Sequence, residues 1–315
     1  MISFVILHYL AVDSTLKCID CIKALGGDNN VVVVDNASPD GSGPMLADKF
    51  KNDGRVFVVL NDENAGFARG NNLGIAYACE NFDPDFVVVL NDDVEIEQTD
   101  FCERIYEIYD QHPFDLLGPD IISQYSGVHQ SPKHMRGCSL DSVRKKAAYV
   151  RRSQNPVLLY LSSGEKSNGP LWRWVLRRRR RKSGIDFSAP AQGVVLHGSC
   201  VIFSRRFLNG HLWPFYPGTF MYYEMEILEW LCRRDGSVVR YDPSLNVLHH
   251  QNVATGMQYR SIVSRTRFVT ECLLESLAAA EELILCTQAV DGDEVTVLAS
   301  QPAAIQLAPL LASSE

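Results

Sequence analysis

No stretch of this 315-residue chain is apolar for long enough to cross a bilayer, and its start carries neither a basic n-region nor a small-residue cleavage site. Residue 2 already opens the strand-like run ISFVIL, which predicts a cytoplasmic protein. A disulfide framework is also missing. The nine cysteines, an odd number, lie scattered without paired spacing, as suits a reducing compartment. Cys18 and Cys21 form a lone CxxC inside a helical pattern and read as helix packing. There is no GxGxxG of the dinucleotide type and no Gly-Lys-Ser/Thr phosphate loop. No recognition module for nucleic acid surrounds the basic residues, so no nucleic-acid partner is expected. What is present is apolar material, 46% of the residues, enough to bury the core of one large domain or one and a half ordinary ones.

The formal net charge of -8 hides a division. Between Lys133 and Lys182 stand 15 Lys and Arg against two acids, Asp141 and Glu165, a local balance of +13; the remaining 15 bases face 36 acids, a balance of -21. Such asymmetry predicts a separate task for the basic segment.

Short β-branched runs, ISFVIL, VVVVD, RVFVVL and FVVVL, alternate with helical patterns at Thr15 to Leu25, Gly43 to Phe50 and Ala68 to Cys79. Strands that are apolar throughout are covered on both faces, which predicts an α/β fold with a mostly parallel central sheet flanked by helices. A further helix is expected over Phe101 to Gln111 and an apolar segment at DLLGPDII. Beyond residue 123 the pattern fades until GVVLHGSCVIFS, expected as a strand. A helix over Met221 to Arg234, a strand pair around Val238 to Leu248 and a helix from Ser261 to Cys286 follow. The expected organisation is 1–122, 123–190, 191–286 and a loosely held tail, 287–315.

Ligands of parallel sheets bind at the carboxyl ends of the strands. Polar residues collect there: Asp35 closes the second strand, Asn61 the third, and Asn91, Asp92 and Asp93 the fourth. In extended backbone Asn91 and Asp93 share one side and Asp92 points elsewhere. An Asn-Asp-Asp group at that edge suits a divalent ion bridging a diphosphate, since Mg²⁺ and Mn²⁺ take oxygen ligands and leave positions for phosphate. Gly66, Gly70 and Gly74 recur every four residues in NAGFARGNNLG. They would let a helix N-terminus approach an anion, or let the helix pack closely on its neighbours.

Together ISFVILHYL, VVVVDNASPDGS, NAGFARGNNLGIAYA, FVVVLNDDV and FMYYEMEILEWLCRRDG with VLHH resemble the inverting family 2 glycosyltransferases of the GT-A fold, of the type that builds bacterial surface polysaccharides. The likeness covers residues 1–122 and 190–275. It implies a GT-A type nucleotide-diphospho-sugar transferase fold and a Mg²⁺ or Mn²⁺ cofactor. The donor would be a nucleoside diphosphate sugar, and the acceptor a lipid-linked or polymeric glycan. It assigns Asp35 to the nucleotide base and Asn64, Gly66, Arg69 and Asn71 to the nucleoside diphosphate. Asn91, Asp92 and Asp93 stand at the family's DxD motif, with Asp93 as ligand, and His249, then His250, as a further one. Relatives carry Glu-Asp before the late helix, whereas this chain has Glu224, Met225 and Glu226, leaving Glu224 or Glu226 as the base, with the matched Glu224 first. His197 to Ser199 would line the acceptor side.

The run LWRWVLRRRRRK sets two Trp beside five consecutive Arg, as in a peripheral contact with an anionic membrane surface, here the inner face of the cell membrane. A solvated loop is the plainer reading. Two rivals of the transferase are a non-catalytic nucleotide-sugar or glycan-binding protein and a sugar nucleotidyltransferase.

Overall fold

The computed structural model describes residues 1–153, 184–250 and 262–292. The basic run LWRWVLRRRRRK and residues 293–315 of the expected tail lie outside the described residues.

The strands are β1 (Ile2–His8), β2 (Asn29–Asp35), β3 (Val56–Leu60), β4 (Phe86–Asn91), β5 (Val94–Glu95), β6 (Leu116–Ser123), β7 (Ala191–Gln192), β8 (Cys200–Ser204) and β9 (Val239–His249). They form one sheet in the order β3-β2-β1-β4-β8-β6-β9-β5, with β7 also on β9. The expected parallel arrangement holds from β3 to β4. Farther out, β8 runs antiparallel to both β4 and β6, and β6 is parallel to β9.

Helices α1 (Val12–Ala24), α2 (Ser42–Phe50), α3 (Gly66–Phe82) and α4 (Phe101–Gln111) cover the first strands. Val31 to Val34 and Val87 to Leu90 are almost wholly buried, because helices cover both faces of β2 and β4. Each such side chain contributes about 1.5–3 kcal/mol of burial.

Gly70 and Gly74 serve packing. A Cβ on Gly70 would lie 2.5 Å from Leu7, and one on Gly74 would lie 2.4 Å from Val5 and 2.8 Å from Val34, so these residues let α3 sit close against β1 and β2.

Four expectations need correction. The strand pair near Val238 to Leu248 is the single strand β9, whose register on β6 slips between Pro119 and Asp120, where Asp242 turns back to accept from Ser244 N–H (3.1 Å). GVVLHGSCVIFS is not continuous: only β8 is strand, because His197 to Ser199 form a turn held by the His197 ring on Ser199. The segment 123–190 contains a helix, α5 (Leu140–Ser153), ahead of α6 (Arg205–Gly210) and α7 (Glu224–Asp235). The last helix, α8 (Ile262–Gly292), continues past Cys286 into the expected tail.

Helix α5 packs on α8, and Val143, Ala147 and Val150 join Tyr223, Ile227, Leu277 and Ile284 in a separate apolar cluster. No helix among the described residues is long and apolar enough to cross a membrane.

Candidate active site

At the carboxyl edge of β1, β2 and β4 opens a cavity of about 530 Å³. Of the residues singled out from sequence, Asn64, Gly66, Asn91, Asp92, Asp93, Glu224, Glu226 and His249 line it, as do His197, Gly198 and Ser199. Asp35, Arg69 and Asn71 do not.

Asp35 is 3% exposed; its oxygens accept Ser38 N–H at 3.2 and 3.3 Å and press on Gly43 in the first turn of α2. These contacts hold its carboxylate against the start of α2. Arg69 is exposed and donates to Pro217 O (3.0 Å), and Asn71 donates to Phe67 O (2.9 Å) within α3.

The polar neighbour of Asp35 takes the position at the edge. Asn36 donates to Asn64 Oδ1 (2.8 Å) and Gly66 O (3.2 Å), and its own Oδ1 accepts Ala65 N–H (3.0 Å). This network fixes the loop that leads into α3. Gly66 is required there. Its φ is +77°, and a Cβ would fall 2.2 Å from the carbonyl oxygen of Phe220, which in turn accepts Phe67 N–H at 2.7 Å. Gly66→Ala is expected to cost at least about 2 kcal/mol and to loosen the cavity, read by chemical denaturation. A change under about 0.5 kcal/mol would show that the close approach is not structural.

Beyond Asn91 the backbone turns, so strand alternation no longer applies and Asp92 reaches the cavity with its neighbours. Asp92 accepts Tyr9 N–H, while its Oδ2 is buried without a partner. The chain resumes as β5, paired with β9 so that Val94 faces His249, and Asp93 O accepts His250 N–H at 2.9 Å. This pairing brings the acidic turn to the late histidine. Asp93 Oδ1 and His249 Nε2 lie 3.2 Å apart, yet Oδ1 has no hydrogen-bond partner. His249 Nδ1 is 2.8 Å from Gln130 Oε1, an acceptor that suits the tautomer with its proton on Nδ1 and a lone pair on Nε2. His250 instead turns to Glu95 at 3.0 Å.

A buried carboxylate oxygen and an imidazole lone pair facing each other suit a divalent cation between them, so the donors fit one. Among the described residues no three His, Cys, Asp or Glu side chains form a metal-holding group, so an ion here needs further oxygen ligands.

Across the cavity, Tyr222 and Tyr223 both take left-handed backbone, φ +72° and +73°. Such geometry costs about 1–3 kcal/mol per residue. It delays the start of α7, expected at Met221, to Glu224, and the first turn of α7 meets the cavity. The two glutamates then differ sharply. Burial pushes Glu224 up to about 7, and its Oε1 has no hydrogen-bond partner. Glu226 is also buried, but the ammoniums of Lys133 (3.0 Å) and Lys146 (3.7 Å) outweigh that burial and hold its carboxyl below the usual value.

Gln130, Lys133 and Lys146 were not foreseen: they belong to a segment without an early pattern and meet partners about a hundred residues away. Tyr9 and Asn36 also line the cavity, inside motifs already quoted.

A sheet whose parallel half ends in this cavity, closed by an antiparallel strand and a late acidic helix, defines a GT-A type fold of the nucleotide-diphospho-sugar transferase class. Residues 3–229 match the family described as Glycosyl transferase family 2, and the chain belongs to that family. A curated relative, the low-salt glycan biosynthesis hexosyltransferase Agl10 of Haloferax volcanii, is 28% identical over 132 residues. That match spans 42% of this chain and 40% of the relative's length. Among solved structures, S. aureus TarS aligns with a TM-score of 0.49 and 13% identity over 79% of this chain and 36% of its own. Its 1–349 form gives 0.49 and 12% over 93% and 75%. GalNAc-T7, solved with UDP, GalNAc and Mn²⁺, gives 0.49 and 14% over 80% and 44%.

Proposed function

We propose that the protein is a metal-dependent inverting glycosyltransferase. It moves a hexose or deoxyhexose from a nucleoside diphosphate sugar to a hydroxyl of a lipid-linked or polymeric glycan in surface polysaccharide synthesis. It works in the cytoplasm, against the inner face of the membrane. One observation carries the reading: a candidate cation pair, Asp93 with His249, and an unpaired buried carboxylate, Glu224, line the same cavity. Family membership and the printed name of the hexosyltransferase relative point the same way.

Asp93 and His249, with Asn91 beside them, would hold Mg²⁺ or Mn²⁺, which supplies positive charge to a departing diphosphate. The loop fixed by Asn36, with Asn64 and Gly66, borders the nucleoside diphosphate. Glu224 accepts the proton of the acceptor hydroxyl while that oxygen bonds to the anomeric carbon and the bond from that carbon to the diphosphate breaks. Glu226 stays charged against its two lysines and is a poor proton acceptor. Displacement is then single and the anomeric centre inverts, as the resemblance to the inverting family 2 enzymes implies.

In a panel of nucleoside diphosphate sugars at one common concentration, the right donor should stabilise the protein most, by about 2.7 kcal/mol where that concentration is about a hundred times its Kd, and more with Mn²⁺ than without. Thermal shift reads this directly. No stabilisation by any member, with or without Mn²⁺, would defeat the proposal.

A further inference from the structure

Three apolar side chains of the cavity come from beyond the part of the chain that matches the family. Phe268, Val269 and Leu273 of α8 line it, all half-buried, whereas the match ends at residue 229. The apolar stripe of α8 explains their position. Its later members, Leu277, Ala280 and Ile284, are buried in the cluster shared with α5 and α7, while one and two turns earlier Leu273 and Val269 are only partly covered and border the cavity. This wall is fixed in place. Ser276 donates to Met221 O (3.0 Å), and the Phe268 ring meets the Phe220 ring edge-on at 6.4 Å, which ties α8 to the segment leading into Glu224. Burial first, and then neighbouring carboxylates, Glu224 among them, push the Cys272 thiol up to about 11, so this stretch of α8 runs beside the group proposed as base.

From this arrangement we infer that the acceptor is lipid-linked and short, with a hydrocarbon chain that starts close enough to the attacked hydroxyl to lie on Phe268, Val269 and Leu273. The inference rests on the transferase reading above and chooses between its two acceptor classes. Side chains of Phe, Val and Leu have no group to bond a sugar hydroxyl, and a hydroxyl pressed against them without a partner costs free energy. What covers the wall during transfer is therefore an apolar part of a reactant. The nucleoside diphosphate borders Asn64 and Gly66 at the strand ends, whereas α8 packs on α5 in a cluster that contains no residue of the first 122, so the wall belongs to the acceptor's side. A polymeric glycan offers only small C–H faces ringed by hydroxyls. From Val269 to Leu273 the wall runs about 6 Å along the helix axis, more than the single methyl of a deoxyhexose would cover, and each methylene taken out of water there favours binding by about fourfold.

The test titrates the full chain, with the best-binding of UDP, GDP and dTDP present, against methyl glucoside, methyl 6-deoxyglucoside and hexyl glucoside, the last below its micelle concentration. The ring is held constant, so the difference between methyl and hexyl reports the chain alone. Wild type should bind hexyl glucoside about tenfold or more tightly than methyl glucoside. Val269→Thr, which keeps the shape and adds a hydroxyl, and Leu273→Asn should each cut that preference about threefold or more, with nucleoside diphosphate affinity within twofold of wild type. Should Leu273→Asn fail to fold, Val269→Thr alone decides. Equal binding of the methyl and hexyl compounds, binding of neither, or a preference unchanged in the variants overturns the inference. So does a gain from the 6-deoxy compound as large as that from hexyl, which would give the wall to a sugar methyl, and so does a tenfold loss of nucleoside diphosphate affinity in Val269→Thr, which would place it on the donor. In all these cases the transferase reading stands, because nucleoside diphosphate binding by wild type is measured in the same series; absence of all such binding removes both.

Discussion

Glu224→Gln should abolish nearly all sugar transfer, by about a hundredfold to ten-thousandfold, and at the same time make the protein more stable at pH 8. Both effects come from one cause. Burial holds the Glu224 carboxyl at about 7, well above the ordinary glutamate range near 4.3. At low pH the group is protonated in folded and unfolded chains alike. As pH rises from about 4.3 to about 7 the folded state keeps a proton that the unfolded state has lost, so stability falls, and above the folded value the full cost is present. A difference of about 2.7 between the two values corresponds to a penalty on the order of 4 kcal/mol at pH 8. The neutral amide of Gln removes that penalty, so the gain over wild type should be absent near pH 4 and greatest above pH 8, as urea denaturation would measure. In wild type, kcat/KM should climb about tenfold per pH unit up to about 7 and then level.

Glu226 supplies the contrast two residues away. The ammoniums of Lys133 and Lys146 offset its burial and keep its carboxyl below the usual value, so its contribution to stability is present above the unfolded value and disappears as pH falls through the folded one. Glu226→Gln should therefore weaken the fold at neutral pH, where Glu224→Gln strengthens it. Stability changes of the same sign in both variants, or transfer that survives Glu224→Gln, would take the base assignment away from Glu224.

The sequence made some of this visible and hid the rest for identifiable reasons. Strands β1 to β4 were readable because burial on both faces writes itself as unbroken apolar runs, and the polar residues at their carboxyl ends marked the cavity. Helix α5 escaped because six of its 14 residues are charged; the stripe of Val143, Ala147 and Val150 that docks on α8 was the signal available. The start of α7 was misplaced because Tyr222 and Tyr223 are aromatic residues in left-handed backbone, a conformation that no propensity assigns to tyrosine. Asp35 stood at the matched position, yet its fate was set by Gly43 and Ser38 folding back on it. Gln130 and Lys133 fall within a loop that spans from His249 to Glu226, and only tertiary structure reveals that one short segment contacts both.

Asp93→Ala should remove the dependence of donor binding on Mn²⁺ and lower transfer about a hundredfold or more, the usual scale for loss of one group that stabilises developing negative charge. The argument is geometric. Asp93 Oδ1 and His249 Nε2 are 3.2 Å apart without a hydrogen bond between them, and Nδ1 of the same ring is engaged with Gln130. Two such atoms held that close suit a shared cation, and the pairing of Val94 with His249 keeps β5 and β9 in register beside them. Removing the orienting contact instead of the ligand should have a milder effect: Gln130→Leu is expected to weaken Mn²⁺ affinity about tenfold to a hundredfold while leaving both first ligands present. Calorimetric titration of Mn²⁺ into the protein saturated with nucleoside diphosphate would rank wild type, Gln130→Leu and Asp93→Ala in that order of affinity. Identical Mn²⁺ affinity in all three would mean that the ion, if the reaction uses one, is held elsewhere, and the close approach of Asp93 to His249 would then be a structural contact of β5 with β9.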